Sequence, residues 1–128
     1  VLRRGTPSQD PTYPEDNYPD TVHLGIVING EVVATSTWLT KDSPASPGRK
    51  AVQLKGMAVD DSLRGTGAGR LIIDAGIAES KRRNAELVWA NARDSALGFY
   101  ERCGFAVIGD GFMESNTALP HHVVEHNL

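Results

Sequence analysis

Apolar residues fall into short runs along most of the chain, and the period of those runs changes as the chain proceeds. Val22, Leu24, Ile26 and Ile28 mark every second position of residues 22–28, and β-branched residues crowd 31–38, so both segments are predicted to be strands. Asn29-Gly30 between them is a strong short-range signal for a hairpin, which makes the pair antiparallel. A loop over 41–49 carries Pro44, Pro47 and Gly48, and residues 51–59 then return as the third strand of a meander. From Gly67 onward Ile72, Ile73, Gly76 and Ile77 recur at helical spacing, which predicts a helix over 70–83 with Glu79, Lys81 and Arg82 at its polar end. Residues 86–91 read as a short apolar strand. Because a helix separates it from 51–59, the two are predicted to be parallel neighbours. Asp94 or Ser95 is placed to cap a second helix with Leu97, Tyr100 and Cys103 on its inner face. Residues 105–108 and 122–125 follow as the last strands, around a polar stretch at 109–120. The resulting order, β-β-β-α-β-α-β-β, predicts an α/β mixed sheet.

At 128 residues the chain suits a single domain spanning 1–128, with its core in 22–128. Residues 6–20 hold four prolines and four acidic residues with almost no aliphatic ones, which predicts an irregular segment. The formal charge of −3 and the scattered Lys and Arg residues argue against a nucleic-acid surface. The one tight basic cluster, Lys81-Arg82-Arg83, falls where a helix ends and complements its dipole. Cys103 is the only cysteine, so an internal disulfide is excluded and a reducing cytoplasm fits; the residue is expected in the core. No apolar run has the length of a membrane span and no signal-peptide pattern opens the chain, so no membrane partner is expected. The chain starts at Val1 rather than methionine, which leaves room for residues ahead of it.

The chemistry concentrates in Arg64-Gly65-Thr66-Gly67-Ala68-Gly69, a glycine-rich turn between a strand and a helix. A helix start leaves backbone N–H groups unpaired and carries partial positive charge, and glycines let an anion approach them, so the turn is a candidate phosphate site. A P-loop would need Gly-Lys followed by Ser or Thr, but Gly69 is followed by Arg70 and Leu71. A dinucleotide fingerprint would need Gly-x-Gly-x-x-Gly and a later acidic residue; the spacing of Gly65, Gly67 and Gly69 does not meet it.

The same run resembles the acyl-CoA-binding signature of the GCN5-related N-acetyltransferase (GNAT) superfamily, Arg/Gln-x-x-Gly-x-Gly/Ala, met by Arg64, Gly67 and Gly69. Leu54-Lys55-Gly56-Met57-Ala58-Val59 is similar to the family's central strand, and residues 96–105, with Phe99-Tyr100 and Gly104-Phe105, are similar to its second block. The resemblance spans roughly residues 22–124. It implies a fold in which acetyl-CoA lies where two parallel strands part, and an amine that attacks the thioester directly. By this resemblance the pyrophosphate falls to Arg64, Gly65, Thr66, Gly67, Ala68, Gly69 and Arg70. The pantetheine arm falls to the main chain of Met57, Ala58 and Val59, with Gly56 a plausible place for the necessary strand distortion. Tyr100 takes the place of the general acid, and Asn91, expected just past the end of its strand, that of a cofactor or acceptor contact. The front end departs from the family: 1–21 is too short for the usual first strand and helix pair, so residues 1–5 are expected to be at most the tail of the first helix.

The general base is not evident. Family members often carry a carboxylate on the central strand or its neighbour, whereas 51–59 offers Gln53 and Lys55. His121, His122, Glu114 and Glu31 remain as candidates, with solvent as the alternative proton acceptor. No metal is expected. Asp10, Glu15, Asp16 and Asp20 would favour a cationic acceptor, a small molecule or a peptide amine, although solubility explains them as well. The leading expectation is an N-acetyltransferase acting on a primary amine in a ternary complex, and the edge strands make a homodimer plausible. The alternative is an acyl-CoA-binding sensor or accessory subunit without turnover. A ligand-free structural module is disfavoured by the cost of three glycines at a helix start.

Overall fold

A computed structural model describes residues 2–5, 21–63, 65–115 and 118–128. The strands are β1 (Leu2–Gly5), β2 (Val22–Ile28), β3 (Glu31–Thr40), β4 (Ala51–Val59), β5 (Leu87–Arg93), β6 (Ala106–Met113) and β7 (Pro120–Asn127). Helix α1 (Ala68–Arg82) joins β4 to β5, and α2 (Leu97–Arg102) joins β5 to β6. One sheet holds all seven strands in the order β1-β2-β3-β4-β5-β7-β6. Every pairing is antiparallel except β4 with β5, which the crossover through α1 makes parallel.

The Asn29-Gly30 hairpin forms as its letters require: Ile28 pairs with Glu31, and both turn residues take positive φ, 51° and 81°. Helix α1 ends on Asn84 in the left-handed conformation, and the Ala85 N–H donates back to the Ser80 carbonyl at 3.1 Å. Gly104 closes α2 in the same way, with Phe105 N–H donating to the Tyr100 carbonyl at 3.0 Å.

Both helices cover one face of the sheet. Val22, Leu24, Trp38, Val52, Leu54, Val88, Ala90, Ala92 and Val124 pack there against Ile73 and Ile77 of α1 and Tyr100 and Cys103 of α2. The opposite face carries a smaller apolar group of Ala51, Leu87 and Trp89, covered in part by the β3–β4 loop. Hydrogen bonds hold that loop down. The Trp89 indole donates to the Lys41 carbonyl at 2.8 Å, and the buried Glu125 carboxylate accepts from Ser43 at 2.5 Å and Ser46 at 3.0 Å.

Three expectations are corrected. Residues 2–5 are not the end of a helix; they form β1 and pair with β2, giving backbone partners to an edge that would otherwise be bare. The stretch from 109 is not all connection, because β6 continues to Met113. Gly109 takes φ 71° and the register jumps between Ile108 and Phe112, so a bulge carries the strand through its polar residues while β7 supplies partners. Neither Asp94 nor Ser95 caps α2, whose N-cap is Ala96 without a side-chain bond; the Asp94 carboxylate instead accepts from the His122 ring at 2.6 Å. The acidic segment at 6–20 lies outside the described residues.

Candidate active site

The site begins where β4 and β5 separate. Their parallel ladder comprises Ala51–Leu87, Val52–Val88 and Gln53–Trp89, and goes no further. From Leu54 onward β4 has no ladder partner on its β5 side, which opens that edge of the strand to an extended ligand.

A bulge in β4 lies just beyond the fork. Thr37 pairs with Lys55 but Thr35 pairs with Ala58, so β4 spends one residue more than β3 over that interval, and Gly56 takes φ 68°. One extra residue exchanges the faces of the strand. Before it, Val52 and Leu54 face the helices; after it, Met57 and Val59 do.

Helix α1 starts on Gly67, whose φ is 87° and whose end carries no side-chain cap, so its first N–H groups remain available. A Cβ built on Gly65 or Gly67 would meet nothing within 4 Å: these glycines serve a conformation and an open approach, not tight packing. Gly69 differs. A Cβ there would lie 3.1 Å from Phe99 Cζ and 3.2 Å from Met57 Cε, so its bareness lets α1, α2 and β4 converge. Thr66 steadies the turn by donating to the Leu63 carbonyl from both its N–H and its hydroxyl.

These elements enclose a cleft of about 750 Å³, with Met57 and Val59 on one wall, the 65–70 turn on another, and Ser95, Ala96, Phe99 and Tyr100 on the third. At its mouth Arg70 donates to the Arg102 carbonyl at 3.1 Å and pairs with Asp74 at 3.8 Å. Tyr100 is buried, in edge-to-face contact with Phe99 and Phe105. Among the described residues its hydroxyl has no hydrogen-bond partner. Burial, with a smaller contribution from Cys103, pushes its pKa up to about 12, so the group is a proton-bearing donor at any ordinary pH. Burial likewise raises the Cys103 thiol, against the pull of Arg70 and Arg102, so Cys103 is no ready nucleophile.

The cleft thus gathers Met57, Val59, Gly65, Gly67, Ala68, Gly69, Arg70 and Tyr100. Ala58 and Thr66 are exposed beside it, and Arg64 lies outside the described residues. Asn91 is corrected: it sits inside β5, paired with Val123, on the face opposite the helices, because the strand runs on to Arg93. None of the base candidates lines the cleft. His121 is buried beside Phe112 with Nδ1 2.8 Å from the Leu119 carbonyl, His122 is paired with Asp94, Glu114 closes the β6–β7 turn, and Glu31 follows the hairpin. Leu63, Ser95, Ala96, Phe99 and Arg102 are lining residues that the sequence reading missed. Ala96, Phe99, Tyr100 and Cys103 follow the i, i+3, i+4, i+7 spacing of one helical stripe, which was the available signal.

The family profile described as Acetyltransferase (GNAT) family matches residues 2–105. The chain belongs to the GNAT family. Among its relatives, the Bacillus subtilis (strain 168) protein YitI, an uncharacterized N-acetyltransferase, is 26% identical over 112 residues, covering 88% of this chain and 75% of that one. Escherichia coli ElaA superposes with a TM-score of 0.75 at 22% identity, over 95% of this GNAT chain and 78% of its own. An aminoglycoside 6′-N-acetyltransferase complexed with coenzyme A superposes with a TM-score of 0.72 at 14% identity, over 86% and 74% of the two chains. These structures share the GNAT fold. No described helix is long and apolar enough to cross a membrane.

Proposed function

We propose that this GNAT protein transfers the acetyl group of acetyl-CoA to a primary amine by direct attack within a ternary complex. The observation that carries the reading is the fork itself: a parallel ladder that stops at Gln53–Trp89, a bulge that turns Met57 inward, and an uncapped helix start beside both. The residues present fit acyl-CoA, since Gly65 and Gly67 leave room for a pyrophosphate and the free β4 edge suits the amide groups of pantetheine. A fold neighbour complexed with coenzyme A supports that fit.

The thioester supplies the activated acyl group; the amine nitrogen bonds to its carbonyl carbon, the C–S bond breaks, and the departing sulfur is left negative. Tyr100 serves that sulfur. With a pKa of about 12 its hydroxyl holds its proton more tightly than a thiol of about 8.5 would, so Tyr100 stabilises the thiolate chiefly by donating a hydrogen bond, and water completes the protonation. The amine's proton passes to solvent, because no carboxylate or imidazole is among the described residues lining the cleft.

That same lack favours a second reading, binding of acyl-CoA without useful turnover. Thiol release separates the two. With acetyl-CoA and spermidine, kanamycin and a lysine-bearing peptide as acceptors, the enzyme reading predicts release with at least one amine. Tyr100→Phe should lower kcat by about 10²-fold or more while leaving the acetyl-CoA dissociation constant within about threefold. Tight acetyl-CoA binding with no release from any of the amines would favour the sensor.

A further inference from the structure

Two histidines of β7 hold the two ends of α2. His122 and His126 stand four residues apart on the same face of the strand as Val124, which belongs to the core beneath the helices. His122 Nδ1 lies 2.6 Å from the Asp94 carboxylate, just ahead of α2, and His126 Nδ1 lies 2.7 Å from the Gly104 carbonyl, just behind it. A carboxylate and a carbonyl only accept, so each imidazole donates its Nδ1–H. Bare glycines admit both rings. A Cβ on Gly111 would fall 2.7 Å from His122 Cε1, and one on Gly104 would fall 2.9 Å from His126 Cε1. Four residues of strand advance about 13 Å, enough to underlie a six-residue helix of about 9 Å and reach the connection on either side. The helix start has little else to fix it, because its N-cap Ala96 makes no side-chain bond.

We propose that His122 and His126 are positioning residues that together set the Tyr100 hydroxyl against the cofactor sulfur. The inference rests on the acetyl-transfer reading above and adds what keeps its hydrogen-bond donor in place. Neither imidazole lines the cleft, so both act through α2. His122 acts through Asp94, whose carbonyl accepts the Leu97 N–H and so carries the entry to the helix. His126 acts through Gly104 and through Phe105, whose ring lies 5.4 Å from the His126 ring and 5.4 Å from that of Tyr100. Packing against Phe99 and Phe105 keeps the Tyr100 ring buried, but apolar contact is non-directional and tolerates sliding of a short helix along the sheet. A hydrogen bond to the departing sulfur does not tolerate it, since a displacement of about 1 Å is enough to cost catalysis heavily. One directional bond at each end removes that freedom.

The test needs no knowledge of the natural acceptor. Coenzyme A and desulfo-coenzyme A, which lacks only the sulfur, are compared by calorimetry at pH 9, where thiols ionise. Wild-type protein should bind coenzyme A about 10-fold more tightly, and Tyr100→Phe should lose most of that preference. The pair His122→Leu and His126→Leu, made together, should cut the preference to about threefold or less while the desulfo-coenzyme A dissociation constant stays within about twofold. Asparagine at both positions keeps a side-chain N–H near each Nδ1 and should restore the preference. In a Tyr100→Phe background the two leucines should change nothing further, because they act through the hydroxyl. Thermal unfolding shows which variants keep the fold, and Asp94→Ala, which removes the His122 bond from its other side, should lower the preference if the leucine pair does not fold. A full preference in the folded leucine or Asp94→Ala variants, a loss that asparagine does not restore, or a further loss in the Tyr100→Phe background would overturn the assignment. Equal affinity of the wild type for the two ligands would overturn it together with the role of Tyr100, and absence of acetyl-CoA binding would overturn the transfer reading itself.

Discussion

Burial sets the chemistry of Tyr100 without help from any basic neighbour. Its folded pKa of about 12 stands above the ordinary tyrosine value of 10.0, so between those values the unfolded chain releases a proton that the native state keeps. Stability is therefore full below about pH 10 and is lost as pH rises toward 12. Denaturant titrations of wild type and Tyr100→Phe across pH 9 to 12 should show the wild type losing on the order of 2 kcal/mol more than the variant. Parallel pH dependence in the two proteins would contradict the buried placement. Gly67 makes a different point at the same scale. At φ 87° an alanine is strained, which costs about 1–2 kcal/mol, yet its Cβ would touch no protein atom. Gly67→Ala should lower the melting temperature slightly and weaken acetyl-CoA binding by about tenfold or more, measured by calorimetry. A loss of stability with full affinity would mean that the turn serves structure alone.

Among the elements, α1 depends on one close approach. A Cβ on Gly76 would fall 1.9 Å from Cζ2 of Trp38, a ring buried in β3 with its indole N–H bonded to Ser36 at 2.8 Å. Alanine is a better helix former than glycine by about 1 kcal/mol, but here overpacking should win, and Gly76→Ala should destabilise the protein by about 1–3 kcal/mol in urea. An unchanged or raised midpoint would contradict the packing of α1 on the sheet. Elements whose signal is local were legible in the letters. The Asn29-Gly30 hairpin, the strand at 51–59 and the parallel crossover through α1 each follow from a turn pair, a period or a connection length. Elements fixed by distant partners were not. Nothing in Asp110 or Gly111 says strand; β7 and a bulge at Gly109 make it one. Leu2–Gly5 likewise is a strand because β2 offers a free edge. The surroundings of the base candidates were hidden for the same reason, since sequence gives their residue types but not that His122 is tied to Asp94 and His121 turned toward Leu119.

At the scale of the molecule, the two halves of the sheet meet at one discontinuity. In the sheet, the β1–β4 meander and the β5–β7–β6 group share three rungs ending at Gln53–Trp89, and the cleft opens beside that join. The glycine turn and the second block were readable because each is a local motif. The fork between them was an implication of resemblance until the register showed where pairing stops. The central claim, that this fork receives acyl-CoA, is tested most directly by thermal unfolding with and without acetyl-CoA, using AMP and NAD as controls. At about 100 times the dissociation constant a ligand bound only by the native state adds roughly 2.7 kcal/mol, so a selective rise in melting temperature with acetyl-CoA is predicted. No rise at millimolar acetyl-CoA, or an equal rise with AMP or NAD, would contradict the account.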